Sequence, residues 1–217
     1  MNADRVFLGL FFTIVVIGTG IRRYYSYKIE KNHQRLSVRK RIVEMIHAEG
    51  RMFAVLYFAS SAYVIVLLPL YLLFQSNLLL FQMPFPTWVR WFGIGIGFLS
   101  IPFLFWVHYV LDIEWSTTLK LQTDHKLVTN GPYRRIRHPM YSALIVYELS
   151  WVLVSASLLF LVYYVITVFL MIVRIPKEER MILEKFGEEY RSYMKRTRRL
   201  LPHFRRETVK KNRQSID

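Results

Sequence analysis

The sequence predicts an all-α integral membrane protein with about five transmembrane helices, the last two forming a hairpin, and a cytosolic helix after them. Of its 217 residues, 53% are hydrophobic, yet the net charge is +15. A chain that combines both properties is expected to segregate apolar spans from basic loops. The apolar residues are collected into long runs, which cover 6–21, 52–74, 88–110 and 141–173.

The first run is followed by Arg22 and Arg23, whereas a signal peptide carries its basic residues ahead of the apolar segment. We therefore expect a retained helix whose C-terminal end is cytosolic. The runs at 52–74 and 88–110 each exceed the roughly 20 residues that a span needs. In the latter, Gly93, Gly95 and Gly97 are expected to permit close helix packing.

The run at 141–173 is too long for one straight span. A single helix of this length would measure about 50 Å, whereas the hydrocarbon core is about 30 Å thick. We therefore predict a helical hairpin that turns near Ser155, Ala156 and Ser157. The turn returns the chain to the side from which the hairpin started.

The loops carry their charge in alternation. Lysine and arginine are frequent in 22–51, 111–140 and 174–217, and absent from 75–87. By the positive-inside rule this predicts an outside N-terminus and a cytosolic C-terminus. The basic charge favours membrane lipids over nucleic acid as its partner. The absence of cysteine excludes disulfides, thiolate metal sites and cysteine nucleophiles.

The predicted organisation has three parts. Residues 1–110 form a three-span membrane region with a basic cytosolic loop, 111–202 form a functional core, and 203–217 form a basic polar tail. Within the first part, residues 35–50 are predicted either as an interfacial helix or as a solvated basic loop.

Two polar stretches carry the chemistry. The first, 125–141, contains the turn signal Asn-Gly-Pro at 130–132 and then His138-Pro139 directly before a span. The second, 174–190, is predicted to be a helix opened by Pro176, with acids in its first turn, that ends or bends at Gly187. Because the hairpin returns the chain, the two stretches are expected to meet at one site.

Each residue also has a structural interpretation. Arg137 and His138 fit an interfacial pair, Glu178 and Glu179 fit acids at a helix start, and Arg174 fits a stop-transfer charge. Tyr133 and Tyr141 likewise fit an aromatic belt at the membrane interface. The joint pattern, rather than any single residue, favours a functional site.

The two stretches resemble the isoprenylcysteine carboxyl methyltransferases and their prokaryotic relatives, and more distantly the phospholipid methyltransferases. The shared pattern is H-x-L-V-T-x-G-x-Y, then R-H-P-x-Y, a hairpin, R-x-x-x-E-E and F-G-E-E-Y. It covers about residues 111–202. The resemblance implies an integral membrane enzyme that uses S-adenosyl-L-methionine, releases S-adenosyl-L-homocysteine, and methylates a lipophilic acceptor on the cytosolic side.

The resemblance also implies roles for individual residues. Arg174 is the expected acceptor-binding arginine. The expected cofactor-binding residues are His125, Lys126, Leu127, Val128, Tyr133, Arg137, His138, Pro139, Met140, Tyr141, Glu178 and Glu179. Thr118 stands where the family has a glutamine, and Ala143 where many relatives have glycine.

Glu148 is a second catalytic candidate, because an acid about two turns into a span is costly and usually functional or paired. It is predicted to line the acceptor path, to act as a base for a protic acceptor, or to be hydrogen-bonded to a neighbouring helix. His108, His125 and His138 lack compact ligand spacing, so no metal is expected.

If the protein is a methyltransferase, the sequence leaves the chemical identity of its methyl acceptor open. The resemblance favours a prenylcysteine-like carboxylate, and an acceptor of this kind is already ionised and needs no general base. The alternatives are a phospholipid amine, a phenol or quinone-type hydroxyl, or a small thiol. Outside the enzymes, the alternative is a catalytically inactive membrane scaffold.

Overall fold

The computed structural model describes residues 3–32, 38–74, 80–111 and 127–202. The long elements in these ranges are α-helices, and a short 3₁₀ turn, Gly131–Arg134, precedes the fifth of them. The helices are α1 (Ala3–Asn32), α2 (Val38–Glu49), α3 (Arg51–Phe74), α4 (Thr87–Leu111), α5 (Pro139–Ser155) and α6 (Leu158–Arg196).

Four helices, α1, α3, α4 and α6, are long and apolar enough to cross a membrane. The apolar helix α5 has 17 residues and is shorter. At 1.5 Å per residue α5 is about 26 Å long, close to the thickness of the hydrocarbon core. The predicted all-α membrane architecture with about five spans is confirmed.

The predicted hairpin is confirmed at the predicted residues. Helix α5 ends at Ser155, Ala156 adopts the left-handed conformation (φ 50°, ψ 38°), and α6 begins at Leu158. The amide of Met83 donates a 2.6 Å hydrogen bond to the carbonyl of Ala156. The segment that leads into α4 therefore lies against the turn between α5 and α6.

Small residues let α4 approach its neighbours closely. A Cβ atom on Gly93 would lie 2.6 Å from Cβ of Leu153 in α5. One on Gly97 would lie 2.6 Å from Cδ1 of Ile14 in α1. Because lipid is as apolar as the helices, such packing is what holds spans together. Nothing lies within 4 Å of a Cβ on Gly95, so close packing applies to two of the three glycines.

An aromatic cluster joins the hairpin to the N-terminal spans. The ring of Phe160 in α6 lies 5.0 Å from Phe11 in α1 and 5.1 Å from Tyr71 in α3. Trp151 in α5 lies 6.2 Å from Phe11. Tilted and edge-to-face aromatic pairs at these distances stabilise beyond their buried area. The cluster fixes the end of the hairpin away from the polar stretches.

The prediction that Pro176 opens a separate helix is wrong. The apolar part of α6 ends at Val173, but the helix continues through Pro176 to Arg196. Proline removes a single hydrogen bond of the helix, and the Arg174–Glu178 ion pair bridges this turn. The bend expected at Gly187 is present, with φ 49° and ψ −120°.

The first two helices refine the prediction for the N-terminal part of the chain. Helix α1 extends well past the predicted 6–21. Residues 38–49 of the predicted 35–50 segment are helical, as α2. Its apolar Val43 and Ile46 are exposed, at 45% and 37%.

Candidate functional site

The site forms where α5 begins and α6 passes beside it. His138 is the residue before α5, and Pro139 is its first residue. Proline suits this position, because its missing N–H is one that the first turn leaves unbonded. The hairpin returns α6 to the same level, so that Arg174, Glu178 and Glu179 lie beside the start of α5.

We define the Glu178 cluster as His138, Tyr141, Arg174 and Glu178. Oε1 of Glu178 accepts hydrogen bonds from the Tyr141 hydroxyl at 2.6 Å and from Nε of Arg174 at 2.9 Å. Oε2 of Glu178 lies 3.5 Å from Nδ1 of His138. The partners of this carboxylate among the described residues are side chains, and they come from both arms of the hairpin and the residue before it.

Glu49, the last residue of α2, extends this cluster. Its Oε1 lies 3.5 Å from Nη1 of Arg174. The backbone carbonyl of Glu49 also accepts a hydrogen bond from Nζ of Lys177. Arg174 therefore lies between two glutamates, one from its own helix and one from the N-terminal half of the chain.

We define the Glu179 clamp as Arg137, Glu179, Thr197 and Arg199. Oε1 of Glu179 accepts a 2.9 Å hydrogen bond from Nε of Arg137. Oε2 accepts from Nε and Nη2 of Arg199, at 2.9 and 2.7 Å. Nη1 of Arg137 also donates to the carbonyls of Met194 and Thr197. Both oxygens of Glu179 are thus occupied by arginines.

The segment after α6 runs alongside the segment before α5. The amide of Arg137 donates to the carbonyl of Arg198 at 2.7 Å, and the amide of His138 to that of Arg199 at 2.9 Å. The hydroxyl of Tyr193 donates to the carbonyl of Tyr133 at 2.6 Å. These bonds fix the backbone that carries His138 into the site.

The ring of His138 lies between the two halves of the site. Its Nδ1 faces Glu178, and its Nε2 lies 3.5 Å from Oε1 of Glu179. Burial alone would lower the pKa of His138, but the contacts with Glu178 and Glu179 outweigh it and raise this pKa. A protonated His138 is therefore favoured between the two carboxylates.

The two glutamates are both held as carboxylates. Burial alone would raise the pKa of each. His138, Arg174 and Tyr141 outweigh it and lower the pKa of Glu178. His138 and the arginines of the clamp lower the pKa of Glu179 to about 2.

The remaining predicted residues take different positions. Tyr133 is buried in the 3₁₀ turn, where burial raises the pKa of its phenol. Met140 is buried in the main hydrophobic core. Leu127 and Val128 are half-buried. His125 and Lys126, together with Thr118, lie outside the described residues.

Glu148 lies apart from the Glu178 cluster. It is seven residues beyond Tyr141 on α5, which corresponds to about 10 Å along the helix. The residue is 3% exposed, and its Oε2 accepts a 2.6 Å hydrogen bond from the hydroxyl of Thr167 in α6. Glu148 therefore joins the two arms of the hairpin inside the apolar layer.

Sequence reasoning missed Glu49, Thr197 and Arg199. Glu49 is far from both polar stretches in the chain, and its one local signal is the Gly50 that follows it with φ 98°. Arg199 is one of many basic residues near the C-terminal end. Within the part of the chain that the structure describes, no group of acids and histidines is arranged to hold a metal ion.

The chemistry that this arrangement supports is binding rather than covalent catalysis. Charge-assisted hydrogen bonds around Glu178 and Arg174 can be exchanged for those of a polar ligand. The apolar part of α6 ends at Val173, directly before these polar groups. An arrangement of this kind suits the binding and alignment of reactants.

Residues 93–184 match the model of the isoprenylcysteine carboxyl methyltransferase family. The chain is 32% identical over 82 residues to a probable protein-S-isoprenylcysteine O-methyltransferase of Oryza sativa subsp. indica. It is 29% identical over 79 residues to protein-S-isoprenylcysteine O-methyltransferase B of Arabidopsis thaliana. These matches cover 37% and 36% of this chain, and 43% and 40% of the relatives. The matched segments thus span less than half the length of these relatives.

Among solved structures, the chain resembles the eukaryotic intramembrane Ras methyltransferase ICMT (isoprenylcysteine carboxyl methyltransferase). The TM-score is 0.50 at 16% sequence identity, over 92% of this chain and 75% of that one. At this identity the likeness shows the fold alone. The segment that matches the isoprenylcysteine carboxyl methyltransferase family, residues 93–184, includes Tyr141, Arg174 and Glu178.

Proposed function

We propose that this protein is an S-adenosyl-L-methionine-dependent membrane methyltransferase whose acceptor is a lipophilic carboxylate of the prenylcysteine type. The observation that carries the proposal is the Glu178 cluster, in which two separate polar stretches meet at the end of the membrane hairpin. The rice and Arabidopsis relatives, which are named as protein-S-isoprenylcysteine O-methyltransferases, support the same reaction class.

The polar residues fit a cofactor with an adenosyl and an amino-acid end. Nε2 of the buried His138 has no hydrogen-bond partner among the described residues. Glu178 and Tyr141 add an acceptor and a hydroxyl on the same side. The cofactor supplies a methyl group that its sulfonium already activates. We assign its binding to His138, Tyr141 and Glu178, with His125–Val128, Tyr133 and Met140 as further proposed contacts.

Arg174 is proposed to hold the acceptor carboxylate. The guanidinium group is planar and suits a carboxylate through paired hydrogen bonds. An ionised carboxylate is its own nucleophile, so the residues around it need to align it and exclude water rather than remove a proton. The neighbouring helices supply the apolar surface for a lipid chain.

An ionised carboxylate acceptor needs no general base, so this proposal does not use Glu148 as one. Its described partner is Thr167, and it lies about 10 Å along α5 from Tyr141. We propose that Glu148 lines the membrane side of the acceptor path. The role of a base would apply only to the alternative protic acceptors, the amine, hydroxyl or thiol.

The proposed orientation follows the charge of the loops. The basic segments before and after the hairpin are placed on the cytosolic side, and the N-terminus outside. The cofactor then enters from the cytosol and the acceptor from the lipid. Arg137 and Glu179 are proposed to shape the cofactor side by holding the backbone of His138.

Calorimetric binding of S-adenosylmethionine and S-adenosylhomocysteine to detergent-purified protein tests the proposal. We expect saturable binding that Glu178→Ala and His138→Ala weaken by at least about 10-fold, because each removes a charged hydrogen-bonding group. Glu188→Ala is the matched control, since the Glu188 side chain is 83% exposed on the same helix.

The outcomes separate the two function classes. Binding that is lost in both site variants and kept in the control supports the enzyme. Absence of binding in a folded, monodisperse sample would instead favour the membrane scaffold. Transfer of labelled methyl to a prenylcysteine, but not to a phospholipid amine, phenol or thiol, then identifies the acceptor class.

A further inference from the structure

Glu49 is a buried acid whose carboxylate accepts no hydrogen bond from the residues that the structure describes. The residue is 3% exposed and its side chain 0%. Neither Oε1 nor Oε2 has a hydrogen-bond partner among the described residues. The other two acids of the site, Glu178 and Glu179, each accept hydrogen bonds from at least two side chains.

Such a group requires an explanation. Burying a charged group without hydrogen bonds costs several kcal/mol by order of magnitude, and most buried polar atoms in native proteins are satisfied. Burial raises the pKa of Glu49, while Arg174 partly offsets it. Glu49 thus has an ion-pair contact with Arg174 but lacks a hydrogen-bond donor, which a ligand beside Arg174 would supply.

The position of Glu49 is fixed by the backbone turn that follows it and by a contact from α6. Gly50 follows it with φ 98°, which lets the chain turn directly from α2 into α3. Nζ of Lys177 donates to the Glu49 carbonyl and lies 6.0 Å from the ring centroid of Phe53. The end of α2 is therefore held against α6 beside the proposed acceptor site.

Arg174 separates Glu49 from the cofactor side. Its Nε donates to Glu178, while its Nη1 faces Glu49 at 3.5 Å. Arg174, the proposed partner of the acceptor carboxylate, therefore lies between Glu178 and Glu49. A cationic group and an anionic group thus lie side by side where the acceptor is expected to bind.

We propose that Glu49 is an acceptor-binding residue that accepts a hydrogen bond from the N–H on the carbon next to the acceptor's carboxylate. An amino acid carries its carboxylate and its nitrogen on one carbon, so a receptor for both needs a cation and an anion a few ångströms apart. Arg174 and Glu49 supply this pair. The inference rests on the proposed function and assigns Glu49 the role of selecting acceptors that carry an N–H beside the carboxylate.

The cofactor also has an amino-acid end, which makes it the competing ligand for the same pair. The two cases differ in what a Glu49 variant changes. If Glu49 binds the acceptor, its loss leaves the affinity for S-adenosylhomocysteine unaltered. If it binds the cofactor, that affinity falls.

The test compares two acceptors with the same lipid chain. N-acetyl-S-farnesylcysteine has both the carboxylate and the N–H, whereas S-farnesyl-3-mercaptopropionic acid has the carboxylate alone. Glu49→Leu removes the acceptor atoms and keeps an apolar residue of similar size, a replacement that buried charges often tolerate. Glu49→Gln keeps one carbonyl oxygen, and Glu188→Gln is the charge-matched control on an exposed residue.

We expect Glu49→Leu to raise KM for N-acetyl-S-farnesylcysteine by about 10-fold or more. We expect KM for the desamino acid to change by a smaller factor, because that acid contacts Arg174 but offers Glu49 no N–H, and the Kd for S-adenosylhomocysteine to be unaltered. Glu49→Gln should give an intermediate KM. Equal changes for both acceptors, no change for either, or weaker cofactor binding would overturn the proposal.

The wild-type protein provides a test that does not depend on folding of the variants. Its KM for the desamino acid should exceed that for N-acetyl-S-farnesylcysteine by about 10-fold, and equal values would overturn the inference alone. Wild-type protein that binds S-adenosylhomocysteine but methylates neither acid would show that the proposed carboxylate acceptor is wrong, and the inference with it. Absence of S-adenosylhomocysteine binding would instead defeat the proposed function as a whole.

Discussion

The Glu178 cluster and the Glu179 clamp are built around adjacent residues, yet they are satisfied in different ways. Glu178 accepts hydrogen bonds from the side chains of Tyr141 and Arg174, and His138 lies nearby. Glu179 is held by two arginines, and one of them is itself tied to backbone carbonyls.

This difference in partners indicates that Glu178 and Glu179 have different roles. Side chains such as those around Glu178 can turn toward a ligand without moving the fold. The clamp joins α6, the segment before α5 and the segment after α6, so releasing it would separate backbone elements. We therefore expect Glu178 to affect binding most and Glu179 to affect stability most.

The largest expected difference in stability is between Glu179→Gln and Glu178→Gln. Breaking the clamp leaves the buried Arg137 without its carboxylate, which costs about 3 kcal/mol, or about 6–12 °C in Tm for a chain of this size. Glu178→Gln should cost less, because Arg174 keeps Glu49 as its partner. Thermal unfolding in one detergent measures both; a larger loss in Glu178→Gln would reverse the assignment.

Acid pH should remove the stabilisation that the Glu179 carboxylate gives the wild-type protein. The Glu179→Gln variant lacks this carboxylate and so has no such contribution to lose. The pKa of Glu179 is lowered from 4.5 to about 2, so its contribution to stability is complete above pH 4.5 and is lost as the pH falls toward 2. The difference in Tm between wild type and Glu179→Gln should be constant above pH 4.5 and narrow below it. A difference that stays constant down to pH 2 would contradict the clamp.

The smallest effect is expected within the clamp, from Arg199→Lys. The Arg199 side chain is 55% exposed, and lysine keeps its charge while losing one of two hydrogen bonds to Glu179. We expect a loss below about 1 kcal/mol. Arg137→Lys should cost more, since Arg137 is 10% exposed and also bonds the backbone. Equal Tm values for the two variants would show that the arginines are equivalent.

Local sequence patterns predicted most of the architecture. The length of the run at 141–173 indicated a hairpin, and the serines at 155 and 157 located its turn, because hydrocarbon thickness limits how long a span can be. The prediction that Pro176 opens a new helix was wrong, because α6 continues through it. A proline lacks one hydrogen bond, and contacts made by Arg174 and Lys177 stabilise the turn around it.

The sequence by itself determined that the chain is a membrane protein, and that His138, Tyr141, Arg174 and Glu178 belong together, because hydropathy, charge and motif spacing are properties of the chain. Only the tertiary structure decided that Glu178 and Glu179 have different partners, that Arg199 closes the clamp, and that Glu49 enters the site. Neighbouring residues on a helix point about 100° apart. What each one meets depends on segments distant in sequence, whose approach no local pattern records.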